Sequence, residues 1–101
     1  MSENISILSW LEKWYLKHCD GEWEHDTRIR ISTLDNPGWA IMINLDSTEA
    51  ENLIIGRQSM DNGDEDWYDY IIENKLYIAN GDATKLELLI NKFREIIERN
   101  N

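Results

Sequence analysis

The feature that most constrains the fold is a turn sequence between two alternating stretches of chain. Asp35-Asn36-Pro37-Gly38 is the strongest turn signal and contains the only proline. Residues 27–34, before it, alternate between two sides: Ile29, Ile31 and Thr33 against Arg28, Arg30 and Ser32. Residues 39–45, after it, place four apolar side chains on one side: Trp39, Ile41, Ile43 and Leu45. A period of two is typical of half-buried strands, so these stretches are predicted to form a β-hairpin.

Three further strands are predicted downstream, over residues 53–60, 67–72 and 75–79. Asp61-Asn62-Gly63-Asp64 provides a turn between the first two of them, and Glu73-Asn74 joins the last two. Connections this short are typical of antiparallel neighbours. The strands are therefore predicted to form an antiparallel meander.

An amphipathic helix is predicted on each side of the strands. Residues 5–18 repeat with helical period and share one apolar face: Ile7, Leu8, Trp10, Leu11, Trp14 and Tyr15. Ser2 or Asn4 is its expected cap, and Gly21 its expected stop. Residues 84–99 carry a second stripe: Leu86, Leu89, Ile90, Phe93, Ile96 and Ile97. Thr84 and Glu87 match a capping box, with Asp82 as an alternative cap.

These elements predict a single α+β domain over residues 1–101. It has an N-terminal helix, an antiparallel meander of four to five strands, and a C-terminal helix packed on the sheet. Apolar residues make up 42% of the chain, which is enough for one core. A chain of 101 residues leaves no room for a second domain or an elaborate catalytic pocket.

The charge is strongly negative and unevenly spread. Twenty acidic and ten basic residues give a net charge of −10, and residues 44–73 alone hold nine acids and one base. This balance opposes direct binding to nucleic acid or an anionic membrane, and it favours a basic protein partner or simple solubility. The single cysteine excludes an internal disulfide, and residues 1–9 lack the charge pattern of a signal peptide. The cytoplasm is therefore the expected location, and the oligomeric state is left open.

Acidic and aromatic residues cluster in and after the second turn. One interpretation is a solvated loop; another is a recognition surface, where carboxylates steer a basic partner and aromatic rings anchor it. Calcium is a third option, although the EF-hand spacing is missing. The candidate partner-binding residues are Glu22, Glu24, Asp35, Trp39, Asp61, Asp64, Glu65, Asp66, Trp67 and Tyr68.

The segment from Cys19 to His25 is dense in reactive side chains. Cys19 and His25 are candidates for a zinc site or a nucleophilic pair, and Glu22 with Glu24 for a carboxylate pair. No recognised ligand spacing or third orienting group accompanies them. The favoured interpretation is a structured loop in which Asp20 and Gly21 close the helix and Trp23 packs inward. No catalytic residue, metal ligand or cofactor is assigned.

Three motifs follow one another in the first half of the chain: Trp10-Leu11-Glu12-Lys13-Trp14-Tyr15, Cys19-Asp20-Gly21-Glu22-Trp23-Glu24-His25 and Thr33-Leu34-Asp35-Asn36-Pro37-Gly38-Trp39. Together with Ile43-Asn44-Leu45 and Thr48, they resemble the immunity protein 53 family. The second half, with Trp67 and the closing helix, is similar only in outline.

The resemblance implies a bacterial antitoxin of a polymorphic toxin system, which binds its cognate toxin domain in the cytoplasm and is not an enzyme. It implies no particular binding residues, so the motif residues are either fold determinants or contacts. Because the chain is so acidic, a nuclease with a basic active site is the first hypothesis for the toxin, and occlusion of that site is the expected mechanism. The alternatives are a small metal-dependent or hydrolytic enzyme using the Cys19–His25 loop, and a generic acidic adaptor.

Overall fold

Two helices and a five-stranded antiparallel sheet make up the computed structural model, which describes residues 6–100. The helices are α1 (Ile7–His18) and α2 (Leu86–Arg99), and a short 3₁₀ turn spans Trp23–His25. The strands are β1 (Ile29–Leu34), β2 (Gly38–Asn44), β3 (Ile55–Asp61), β4 (Trp67–Glu73) and β5 (Leu76–Asp82). The predicted α+β class and the flanking helices are confirmed.

The sheet has the order β1-β2-β5-β4-β3, so β2 has β5 as its second neighbour and not β3. The fold therefore joins a β1–β2 hairpin to a β3–β4–β5 meander, and residues 45–54 carry the chain from one to the other. Central positions suit β2 and β5, which are the strands with the most buried residues. The edges fall to β1 and β3, whose side chains are mostly exposed, and polar edge strands limit unwanted pairing.

Both helices pack on the same face of the sheet. Phe93 of α2 lies at the centre of an aromatic cluster, with ring centroids 5.0 Å from Tyr77 of β5 and 5.1 Å from Trp14 of α1. One continuous core joins these rings to Ile41 and Ile43 of β2. The α1 stripe is correct except for Leu8, which is exposed. Ile31, expected on the buried side, is 40% exposed because β1 lies at the sheet edge.

The helix ends differ in detail from the prediction. The hydroxyl of Ser6 caps α1 by accepting the backbone N–H of Ser9 at 3.1 Å; the expected caps Ser2 and Asn4 lie outside the described residues. The predicted capping box of Thr84 and Glu87 is wrong. The N–H and hydroxyl of Thr84 both donate to Asp82, at 2.7 and 2.6 Å, and α2 begins only at Leu86. Within residues 6–100, no helix is long and apolar enough to cross a membrane.

Candidate functional site

Most of the predicted partner-binding residues gather at one end of the sheet. β2 begins where β5 ends, and β3 ends where β4 begins, so three chain segments meet there: residues 35–37, 61–67 and 82–85. We call these segments the acidic end. Together with the flanking Trp39 and Tyr68, it contains eight of the ten predicted residues: Asp35, Trp39, Asp61, Asp64, Glu65, Asp66, Trp67 and Tyr68. Glu22 and Glu24 lie at the opposite end, near the start of β1.

Asp82 organises the acidic end from inside. Its side chain is buried and accepts hydrogen bonds from the backbone N–H of Trp67 at 2.8 Å and from Thr84. The Lys85 ammonium lies 2.8 Å from both Asp82 and Asp66. These contacts fix the loop before β4 to the connection before α2.

The contacts of Lys85 shift the pKa values of all three groups. Its hydrogen bond, with those of Thr84, holds the pKa of the Asp82 carboxyl far below its usual range. Hydrogen bonds from Lys85 and Asn62 lower the pKa of Asp66. The same two carboxylates raise the pKa of Lys85. Asp66 and Asp82 are therefore charged and internally paired at neutral pH.

The loop between β3 and β4 is held by its own backbone and side chains. The backbone N–H of Asn62 donates to the carbonyl of Asp66 at 2.8 Å, and that of Gly63 donates to the Asp61 carboxylate at 3.0 Å. Gly63 has a φ of +114°, a conformation that glycine adopts without strain. Asp61, Asp64 and Glu65 are exposed in this ordered loop. Their carboxylates are thus presented on a fixed backbone.

The three aromatic candidates are half-buried. Trp39 and Tyr68 lie on the face that the helices cover, since both are directly opposite Gly81 of β5. The Trp39 indole donates to the carbonyl of Ala83 at 3.0 Å, which ties β2 to the connection before α2. Tyr68 faces the helices, with the Lys92 ammonium 5.8 Å from its ring centre. Trp67, next to Tyr68 in β4, lies on the opposite face, because side chains alternate along a strand. Of the three, Trp67 alone adjoins both the acidic loop and the uncovered face.

The Cys19–His25 segment is a structured loop, as the favoured interpretation predicted. The Asp20 carboxylate accepts the backbone N–H groups of Glu22 and Trp23, both at 2.9 Å. The Glu24 carboxylate accepts those of Asp20 and Gly21, at 2.9 and 2.8 Å. Gly21 has a φ of +97°, and Trp23 is buried. The carboxylates of Asp20 and Glu24 therefore stabilise the conformation of this loop.

Little in this loop supports catalysis. The Cys19 thiol donates to the Tyr15 carbonyl at 3.3 Å, and burial together with Glu24 raises its pKa, whereas a nucleophilic cysteine needs a lowered one. Glu24 and His25 line an open groove of about 450 Å³ with Tyr15 and Arg28. Among residues 6–100, no three histidine, cysteine, aspartate or glutamate side chains are grouped as a metal site requires.

Sequence reasoning missed a polar cluster at the end of the sheet opposite the acidic end, which we call the far end. The Trp14 indole donates to Glu49 at 2.9 Å, and His18 lies between Glu49 (Nε2 to carboxylate, 2.7 Å) and the Trp14 carbonyl (Nδ1 to oxygen, 2.8 Å). The His18 ring packs 4.6 Å from Trp14 and 5.3 Å from Trp23. Burial opposes ionisation of Glu49, but the hydrogen bonds from Trp14 and His18 outweigh it and lower its pKa. Because Glu49 is 31 residues from His18 in the chain, local sequence patterns carry no signal for this contact.

Comparison with known proteins identifies one family. The model of immunity protein 53 matches residues 8–98, which is most of the chain. No curated protein and no solved structure matches the chain.

Proposed function

Because this chain belongs to the immunity protein 53 family, and is thereby an immunity protein against a toxin, we propose that it neutralises a nuclease toxin by covering the toxin's active site with the acidic end. The setting we propose is the cytoplasm of a bacterium that carries a polymorphic toxin system. The cognate toxin domain is the partner, and the chain itself does not contact nucleic acid or membrane.

The observation that carries the proposal is the set of uncompensated carboxylates at the acidic end. Asp66 and Asp82 share one cation, because both carboxylates pair with Lys85. Four further acids are exposed there, and none forms an ion pair with any residue between 6 and 100: Asp35, Asp61, Asp64 and Glu65. Their charge is therefore available to a partner.

A nuclease active site is the kind of surface that such carboxylates fit. Enzymes that bind nucleic acid place lysine and arginine side chains along the phosphate backbone. Carboxylates held on a fixed loop can occupy the same cationic positions and so exclude the phosphates. Long-range attraction by a net charge of −10 raises the rate of capture, and Trp67 beside the loop provides an anchor.

The binding function does not require the Cys19–His25 loop to react. The carboxylates of Asp20 and Glu24 are engaged in backbone hydrogen bonds, and the thiol is not activated. We therefore favour a binding protein over a small hydrolase. Replacement of Cys19 by alanine is expected to leave protection against the toxin unchanged. Loss of protection in a folded Cys19→Ala protein would favour the enzyme.

Coexpression with the toxin encoded beside this gene tests the function. The expected result is rescue of growth, copurification of the two proteins, and inhibition of plasmid or total-RNA degradation by the purified toxin at equimolar ratio. A toxin that is neutralised but degrades neither DNA nor RNA would contradict the nuclease assignment. Failure to protect against any neighbouring toxin would overturn the toxin–antitoxin pairing and favour an adaptor.

Charge reversal at the two ends of the sheet tests the contact surface. Asp64→Lys with Glu65→Lys alters the acidic end, and Glu22→Lys with Asp26→Lys makes the same charge change at the far end, where both side chains are exposed. We expect the first pair of substitutions to slow association at least about tenfold and to reduce its salt dependence. The second pair should have a much smaller effect. The reverse ranking would place the contact at the far end, where Glu22 and Glu24 lie.

A further inference from the structure

The three central strands carry apolar side chains on both faces of the sheet. In β2 the stretch Trp39 to Ile43 is wholly apolar, as are Tyr70 to Ile72 in β4 and Leu76 to Ala79 in β5. A sheet with one solvated face alternates between apolar and polar residues, whereas continuous apolar strands are typical of sheets covered on both faces. Within residues 6–100, the helices cover one face only. We call the other side the open face.

The pairing register gathers the apolar side chains of the open face into one row. Met42 of β2 is directly opposite Ile78 of β5, and Ile78 is directly opposite Ile71 of β4. Directly opposite residues lie on the same face with Cβ atoms about 5 Å apart, so the row crosses the centre of the sheet. All three side chains are half-buried. Their apolar surface is thus partly shielded by neighbours but is still accessible.

A row of polar side chains on the same face lies between this apolar row and the acidic end. Asn80 donates to Asp69 at 3.3 Å, and Asp69 pairs with Arg57 at 3.2 Å. One residue pair further along lie Trp67 and Asp61, which are opposite each other across β4 and β3. The surface therefore has an apolar centre, hydrogen-bonding groups beside it and free carboxylates at one end. Protein interfaces commonly have this arrangement of an apolar core and a polar rim.

We infer that the open face is the apolar half of the toxin-binding surface, so that the bound toxin lies over Met42, Ile71 and Ile78 while its cationic groups meet the acidic end. This inference rests on the proposed function. It commits to a toxin domain whose apolar patch is bordered by lysine or arginine, because the carboxylates that border the apolar row attract that charge. The acidic end then governs how fast the toxin is captured, and the open face governs how long it stays bound.

Measured association and dissociation rates separate these two roles. The probe is the toxin domain encoded beside this gene, catalytically inactivated and immobilised. Met42→Thr with Ile78→Thr removes the apolar row but retains β-branched residues, which suit a strand. We expect the dissociation rate to rise at least about tenfold and the association rate to change less than about threefold, since interface contacts act mainly on dissociation.

Ile54→Thr is the matched control, because Ile54 is an isoleucine that is 82% exposed in the connection between β2 and β3 and does not belong to the row of Met42, Ile71 and Ile78. Its dissociation rate should equal that of the wild type. An unchanged dissociation rate in a folded Met42→Thr, Ile78→Thr protein would overturn the inference while the proposed function stands. If the wild-type chain does not bind the toxin at all, the proposed function fails.

Methyl NMR of the unaltered protein decides the matter if the double variant does not fold. The chain contains three methionines: Met1, Met42 and Met60. Met42 lies on the open face, whereas Met60 of β3 is opposite Tyr68 on the helix side. With methyl-labelled methionine, the toxin domain should shift or broaden the Met42 signal and leave that of Met60 in place. An unperturbed Met42 signal in the complex would overturn the inference.

A second copy of the chain is the competing occupant of the open face. Light scattering of the free protein distinguishes the two. A monomer that binds the toxin through Met42 supports the inference. A dimer that the Met42→Thr, Ile78→Thr substitutions dissociate without a change in toxin affinity would overturn it.

Discussion

At the scale of single residues, Asp82 shows how an acidic chain uses one of its charges internally. Most of its carboxylates are exposed, but Asp82 is only 2% exposed and accepts hydrogen bonds from three residues. A carboxylate this buried must be paired, and Lys85 provides the pairing. The arrangement of the exposed carboxylates at the acidic end therefore depends on Asp82, a carboxylate that is itself buried and not accessible to another protein.

The stability of the protein should fall in acid partly because of Asp82. The folded state holds the pKa of Asp82 below its ordinary value of 3.8, so the stabilisation is complete above that value and is lost as the pH falls through and below it. In Asp82→Asn, thermal melting followed by circular dichroism should show a lower Tm at about pH 7. The difference in Tm between Asp82→Asn and the wild type should become smaller as the pH falls from about 5 to about 2.

Asp64→Asn is the control for this measurement, because its carboxylate is exposed in the same region. Its Tm should follow that of the wild type closely at every pH. A constant difference between wild type and Asp82→Asn across the acid range would show that the carboxylate charge does not stabilise the fold.

At the scale of elements, the structure depends on a few contacts between segments that are far apart in the chain. The connection between β2 and β3 is attached to α1 by the carboxylate of Glu49, which reaches Trp14 and His18. At the other end, β2 and β5 approach closely at Gly38, where an added Cβ would collide with the carbonyl oxygen of Gly81. Each contact predicts the effect of a substitution.

Glu49→Ala should destabilise the protein by about 1–3 kcal/mol, because it leaves the partly buried Trp14 indole N–H without an acceptor. Glu49→Gln keeps an acceptor oxygen and should therefore destabilise the protein less than Glu49→Ala. Urea denaturation gives both values. Glu12→Ala, on the exposed side of α1, should lie within about 0.5 kcal/mol of the wild type. Equal losses at Glu12 and Glu49 would rule out a specific role for the contact.

Gly38→Ala should destabilise the protein by about 1–3 kcal/mol, since the strand backbones must separate to admit the methyl group. Gly56→Ala is its control: nothing lies within 4 Å of an added Cβ there. We expect its free energy of unfolding to match or exceed that of the wild type, because alanine restricts the unfolded chain. Similar values for the two variants would contradict the close approach.

These same contacts explain what could be predicted from the sequence and what could not. The hairpin at Pro37 and the two helices follow from local periodicity, and their positions are correct to within two residues. The pairing of β2 with β5 depends on contacts between residues that are about 40 positions apart in the chain. Local patterns give no signal for such contacts. For the same reason, the sequence could not show that Glu22 lies at the opposite end of the sheet from Asp64, or that Lys85 pairs with Asp66.

At the scale of the whole molecule, the net charge of −10 has opposite effects on folding and on binding. Like charges repel one another in the folded protein and so lower its stability, and under the proposed function the same charges attract a basic toxin. The segment 44–73, which holds most of the excess charge, does not form one surface. Asp61, Asp64, Glu65 and Asp66 lie at the acidic end, whereas Asp46, Glu49 and Glu51 lie near the far end.

Salt should therefore stabilise the free protein and slow its capture of the toxin. Between about 0.02 and about 0.5 M sodium chloride, the Tm should rise and the association rate should fall, because screening weakens both the repulsion and the attraction. Calorimetry and stopped-flow mixing measure the two effects. In the Asp64→Lys, Glu65→Lys protein, both the Tm and the association rate should change less with salt than in the wild type. An association rate independent of salt would contradict electrostatic steering.

The pairing of β2 with β5 also sets when the protein can act. The centre of the sheet joins residues 38–44 to residues 76–82, and α2 closes the core only after them. On the ribosome, the central pair of strands therefore cannot form until residues 76–82 have emerged. The acidic end and the open face both include residues of β5, so under the proposed function a chain that lacks this strand is not expected to protect.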